Sequence, residues 1–276
     1  MASIKVMINK KHNRITRFQV VISFLLTIIF CNIAKASNII YHGTGDYFMP
    51  MGVSALIEAY PEMGMTYNNN FIIFRDGTGI IYDDKIDKTY LEMLDNCDVE
   101  DMFKTSYDRY VTLPPYLYDP GRYRCEELFH KMYGKDANEI SRSLTTVKIF
   151  GKNFNVTRIN GVDEKLRKVA EEVEKHSEFK EFFTKNSGGY NYRKVRGSNR
   201  LSAHSYGIAI DINSVITNYW ERDYKVSEID LIGYSNSVPY ELVKIFEDNG
   251  FIWGGRWYHY DTMHFEYRPE LLRIKN

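Results

Sequence analysis

Cysteine is scarce in this chain, with three residues in 276, and each of the two beyond the leader stands in a charged, helical-looking stretch. Neither has the histidine context that would activate a thiol, so cysteine catalysis is excluded. Past residue 36 there is no apolar run approaching the about 20 residues that cross a bilayer, which excludes a later membrane span. An excess of basic charge is also missing. The first 36 residues carry six Lys and Arg and no Asp or Glu, so the remainder has 30 basic residues against 36 acidic. That balance argues against a general affinity for nucleic acid or anionic membrane. No internal repeat and no low-complexity tract is present, so neither a solenoid nor a disordered tail is indicated.

What is there begins with a leader. Lys5, Lys10, Lys11, Arg14 and Arg17 precede an apolar run from Phe18 to Phe30, and Ala34-Lys35-Ala36 follows. These are the three parts of a secretory signal peptide, and they predict cleavage after Ala36 and an exported protein, periplasmic or secreted. An uncleaved anchor is the alternative. Cys31 follows bulky Ile28-Ile29-Phe30 and is not placed as a lipidation cysteine. In an exported protein the remaining pair, Cys97 and Cys125, is a candidate disulfide, with two buried thiols as the alternative.

The rest reads as an α+β chain with two parts: residues 37–143, a lead-in and small α+β lobe, and residues 144–276, a core in which an antiparallel sheet is flanked by helices. Residues 37 to about 65 show no sustained period. Phe71-Ile72-Ile73-Phe74 and Ile80-Ile81-Tyr82 flank Asp76-Gly77-Thr78-Gly79 as a hairpin. Near-helical spacing runs from Lys88 to Phe103 with an interruption around Asn96-Cys97-Asp98, and Glu126 to Tyr133 predicts a helix that stops at Gly134. Thr145 to Thr157 reads as two strands around Gly151-Lys152-Asn153. Asp163 is expected to cap a helix with Leu166, Val169, Ala170 and Val173 turned inward, followed by Phe179, Phe182 and Phe183.

The stretch Ser202 to Asn213 carries chemistry. Ile208, Ile210 and Ile212 alternate with Ala209, Asp211 and Asn213, so Asp211 points away from a core on one face of a strand. Ala209 leaves room for an ion, and Gly207 lets the backbone turn His204 towards Asp211. A second stretch, Trp253 to Glu266, offers a third donor in either His264 or His259, which spacing alone does not separate. Two histidines and one carboxylate form the open donor set of a catalytic zinc site, with a fourth position left for water. Asp261 stands where a loop becomes a strand and can act as general base and then acid. The helical two-histidine motif of other zinc peptidases is absent. His42, His130 and His176 lack ligand-like neighbours.

The pattern Ser-x-His-x-x-Gly-x-Ala-x-Asp from Ser202 to Asp211, followed by Asp-x-x-His from Asp261 to His264, resembles the zinc D-alanyl-D-alanine carboxypeptidases and related peptidoglycan endopeptidases, whose fold is shared with the hedgehog signalling domain. Asp119-Pro120-Gly121-Arg122 and Tyr190-Asn191-Tyr192-Arg193 extend the resemblance over roughly residues 60 to 270. It implies one Zn2+ per chain held by His204, Asp211 and His264, with His264 chosen over His259, and Asp261 as catalytic acid and base. Arg193 would polarise the scissile carbonyl or hold a substrate carboxylate, and Ser202 would hydrogen-bond substrate or form the turn. Arg122 would brace the two lobes. Many relatives have Glu where this chain has Asp261. The implied substrates are peptidoglycan stem peptides, with removal of terminal D-Ala the first reading. An L-Ala–D-Glu endopeptidase and a non-catalytic zinc-containing binding module are the alternatives.

Overall fold

The computed structural model describes residues 49–274 except Lys185. The expected signal peptide, its expected cleavage after Ala36, Cys31 and His42 lie outside the described residues. The architecture is mixed α+β, with small antiparallel sheets and several helices. A first helix, α1 (Met51–Ala59), follows Pro50 and buries Gly52, Val53, Ala55 and Leu56. It falls in the stretch expected to be irregular. Its apolar pattern is short, and its position depends on a distant contact, because a Cβ on Gly52 would lie 2.4 Å from the ring of Phe103.

Three strands follow as an antiparallel meander: β1 (Thr66–Asn68), β2 (Phe71–Ile73) and β3 (Gly79–Ile81). The expected hairpin is β2 and β3, with Ile72 opposite Ile80 in the core. The interrupted helical stretch becomes α2 (Tyr90–Asp95) and a single turn, Asp101–Phe103. Thr89 starts α2 with a capping box: its Oγ1 accepts from the Glu92 N–H, and Glu92 accepts from the Thr89 N–H. Helix α3 (Glu126–Tyr133) ends at Gly134, whose φ of 111° needs glycine.

The short helix α4 (Ala137–Ser141) leads into a hairpin, β4 (Leu144–Ile149) and β5 (Lys152–Thr157). Its turn is Phe150-Gly151, both at positive φ, one residue earlier than the sequence suggests. Helix α5 (Val162–Val173) buries Leu166, Val169, Ala170 and Val173 as its period requires, but Gly161 and not Asp163 is its N-cap. Asp163 sits in the first turn, where its charge faces the positive end of the helix.

The sheet that positions the site is β6 (Ala209–Asp211), β8 (His264–Tyr267) and β7 (Phe251–Trp253), in the order β6-β8-β7 and antiparallel throughout. Helix α6 (Trp220–Asp223) and helix α7 (Tyr240–Asp248) lie between β6 and β7 in sequence. One core cluster runs from Val53 and Ile72 through Phe129, Val147 and Leu166 to Phe246 and Phe265. No helix among the described residues is long and apolar enough to cross a membrane.

The expected disulfide is not formed: Cys97 and Cys125 are both free thiols. The Cys97 thiol donates to the Asp98 carbonyl at 3.0 Å, while Cys125 is buried at the start of α3. Burial pushes the Cys125 thiol up to about 11 and Cys97 up as well, so both stay protonated.

Candidate metal centre and active site

The strand register brings the first two site residues together. Asp211 on β6 pairs directly with His264 on β8, while Ile208, Ile210 and Ile212 alternate into the core and are fully buried. His204 arrives on a tight turn, Ala203–Tyr206, capped by Ser202, whose Oγ accepts from the His204 N–H at 3.4 Å. Gly207 closes that turn at φ 70°, and a Cβ there would lie 2.9 Å from the Thr157 nitrogen. The Thr157 N–H donates to the Gly207 carbonyl, docking the turn on β5.

Three donor atoms converge as a result. His204 Nε2 lies 3.1 Å from Asp211 Oδ1 and 3.2 Å from His264 Nδ1, and His264 Nδ1 lies 3.1 Å from the same oxygen. The other nitrogen of each ring is engaged behind the triangle. His204 Nδ1 donates to the Gly189 carbonyl at 2.9 Å, which can only accept, so Nε2 presents its lone pair. His264 Nε2 donates to Glu266 Oε2 at 3.3 Å, and Glu266 is flanked by Arg124 at 3.4 Å and Arg268 at 3.0 Å.

Donors at about 2.0–2.1 Å from a tetrahedral zinc are separated by roughly 3.3 Å, so the triangle has the size that ion requires. A carboxylate behind a histidine ligand is also the usual means of fixing ring orientation and tautomer.

The electrostatics agree with that donor set. Burial acts to raise the Asp211 carboxyl, yet His204 and His264 hold it far below its ordinary range. Burial acts to lower His264, but hydrogen bonds to Asp211 and Glu266 outweigh it and push the imidazole up to about 10. Glu266 is held well below the usual carboxylate range by Arg124, His264 and Arg268, against its burial. A proton and a divalent cation are alternative ways to neutralise the same triangle.

Asp261 stands beside this group. Its N–H donates to Gly254 O at 3.0 Å, its carbonyl accepts from the His264 N–H at 3.1 Å, and it bridges Tyr219. The backbone is pinned, yet the buried Oδ1 has no hydrogen-bond partner. Burial and the neighbouring Asp211 charge push the Asp261 carboxyl up to about 6. A carboxyl in that state can accept and return a proton near neutral pH.

His259 is held elsewhere. Its ring is buried, its Nδ1 lies 2.7 Å from Asp119 Oδ2, and its backbone N–H donates to Asp119 Oδ1 at 3.0 Å. Tyr90 donates to the same Asp119 at 2.8 Å. Arg122 reaches Glu228 through both terminal nitrogens at 2.8 and 2.9 Å and donates to Tyr90 at 2.7 Å, so it ties the segment after α2 to the loop after α6.

Arg193 is exposed and its side chain makes no hydrogen bond among the described residues, although its backbone is fixed by Ser202 and Ser205. Arg200 is buried, donates to the Arg122 carbonyl, and is pushed down to about 9 by burial and by Arg124 and Arg122. Glu266, Arg124 and the Gly189 carbonyl were not singled out from sequence. Glu266 had a signal, since it lies two residues beyond His264 in a strand and so shares its face.

Residues 196–267 match the family model for D-alanyl-D-alanine carboxypeptidase. This supports placing the chain with that peptidase family. The match contains His204, Asp211, Asp261 and His264, and it begins three residues after Arg193. No match was found among the curated proteins or among the solved structures.

Proposed function

We propose that this chain is a zinc peptidase that hydrolyses the stem peptides of peptidoglycan, with removal of a terminal D-Ala as the first reading. The observation that carries it is the triangle of His204, Asp211 and His264 with the partnerless Asp261 oxygen beside it. The two imidazoles and the Asp211 carboxylate would hold the ion. When bound, zinc supplies Lewis acidity that polarises a carbonyl and makes water a stronger acid.

Asp261 Oδ1 then takes a proton from the attacking water and returns it to the leaving amine nitrogen. Glu266, braced by Arg124 and Arg268, keeps the His264 ring in place. Arg193, with its main chain tied down and its side chain unpaired among the described residues, would meet a substrate carboxylate or carbonyl oxygen. Ser202 serves first as the cap of the His204 turn. Because the substrate lies outside the cytoplasm, this reading also requires residues 1–36 to direct export.

The test is mass spectrometry of defined muropeptides incubated with zinc-loaded protein, beside Asp261→Ala and a chelated control. Loss of one D-Ala that needs both metal and Asp261 supports the carboxypeptidase, and release of L-Ala or of the stem points to an endopeptidase. Stoichiometric zinc with every muropeptide unchanged would leave a binding module and overturn hydrolysis.

A further inference from the structure

A cleft of about 650 Å³ lies against Trp220, the residue after the Tyr219 that bridges Asp261. The Trp220 N–H donates to Tyr260 O at 2.9 Å, and its ring meets the His259 ring edge-on at 4.6 Å. Leu91 from α2 and Val226 and Ile229 from the loop after α6 form apolar walls, and these three side chains are 47, 44 and 53% exposed. Apolar side chains left uncovered around a concave wall suit the methylenes of a ligand.

The charges in the cleft are unequal in what they leave unpaired. Glu221 is met by Arg196 at 3.4 Å and Glu228 by Arg122 at 2.8 Å. Lys225 also lines the cleft and makes no ion pair among the described residues. A ligand ending in an ammonium alone therefore finds both carboxylates already neutralised, whereas one that adds a carboxylate finds Lys225 waiting.

In a stem peptide cut between its two terminal D-Ala residues, the first reading above, the third residue lies two positions from the scissile bond on the acyl side. We propose that the cleft walled by Trp220, Leu91 and Ile229 is the subsite for that third residue, and that Lys225 makes it select a diamino diacid side chain over lysine. The proposal rests on the peptidase reading above. It makes the cleft a specificity device built from α2 and the loop after α6, apart from the ligand triangle.

Three synthetic stem peptides differing only at the third residue test it: diaminopimelate, its side-chain carboxamide, and lysine. Their kcat/KM values on the zinc protein are compared with their affinities for zinc-loaded Asp261→Ala by calorimetry, so that binding is read even where nothing is cut. The diaminopimelate peptide should lead the other two by about fivefold in affinity, the size of one solvent-exposed charge pair. Lys225→Ala should bring the three together, and Lys225→Glu should invert the order in favour of lysine. Equal affinities for all three peptides in the parent protein, or a preference that survives both substitutions, would overturn the subsite. If no peptide is cleaved but the order of affinities holds, the subsite stands and it is the hydrolytic reading that fails.

Discussion

Asp84, Asp98 and Asp101 close around the ammonium of Lys88 at 2.8, 3.2 and 2.7 Å, whereas His204, Asp211 and His264 close around no side-chain cation among the described residues. Ligand-type atoms lie near enough together to hold an ion in the triangle, and also in Asp83, Asp84 and Asp98 and in Asp98, Glu100 and Asp101, which share carboxylates with the Lys88 cluster. The difference lies in what the chain itself supplies. In the first cluster a lysine, only 5% exposed, neutralises the carboxylates, with Lys104 adding a second contact to Asp101 at 2.7 Å. In the second, the Gly189 carbonyl and the Glu266 carboxylate tie up the outer nitrogens of the rings and aim the remaining lone pairs inward. Converging acids are therefore not evidence of a metal site until the local cations have been counted.

The comparison can be broken most forcibly at Lys88. Lys88→Met leaves three carboxylates without their cation and should cost about 3–5 kcal/mol in denaturant unfolding. It should also make the variant's stability respond to calcium while the parent's does not. A variant indifferent to calcium would show that the acid geometry alone does not make a site. The same cluster sets a pH window. Asp101 is held below its ordinary 3.8 by Lys104 and Lys88 against its burial. Lys88 is held above its ordinary 10.5 by Asp101, Asp84 and Asp98 against its own burial. The carboxylate contribution is complete above the unfolded value and is lost as pH falls through the folded one. The lysine contribution is complete below 10.5 and is lost as pH rises through its folded value. The stability difference between the parent and Lys88→Met should be flatter between about pH 4 and 10 than outside that range.

Chelation addresses the other cluster. With zinc at 100 times its Kd, removing the ion should cost about 2.7 kcal/mol, or roughly 5–10 °C in Tm by calorimetry. An unchanged Tm would mean the triangle holds no cation. Glu266→Gln should weaken zinc affinity by about 10–100-fold in competition with a chromophoric chelator, because the His264 ring loses its carboxylate partner. The smallest effect belongs to Thr89→Ala, next to Lys88 in sequence. Losing the capping box should cost about 1 kcal/mol of stability and leave zinc affinity unaltered. A change in zinc affinity there would show that the two clusters are coupled.

Local periodicity and turn chemistry made much of this legible before the fold was known. The β2–β3 hairpin, helix α3 with its stop at Gly134 and the inward face of α5 follow from spacing that each segment carries within itself. Helix α1 was not legible, because Gly52 is placed by Phe103, about 50 residues away. The N-cap of α5 went to Gly161, since its φ of 67° already reverses the chain before Asp163 is reached. Cysteine parity suggested a disulfide, but parity carries no direction, and the Cys97 thiol points at a carbonyl.

At the site, alternation around Ile208, Ile210 and Ile212 gave the exposed face of Asp211. The choice between His259 and His264 lay beyond spacing. His259 is claimed by Asp119, 140 residues earlier, and no local pattern reports such a partner. The brace on His264 was closer to hand, because Glu266 follows it on the same strand face.

The β6–β8 register has a consequence for how the site comes into being. Asp211 and His264 are 53 residues apart in the chain, yet they are direct neighbours in a ladder whose rungs are backbone hydrogen bonds. A slip of one residue would turn one of the pair to the opposite face. On the zinc reading, ion capture would thus be a readout of correct strand alignment: a misregistered chain would lose the ligand triangle at the same moment that it buried the wrong side of β6.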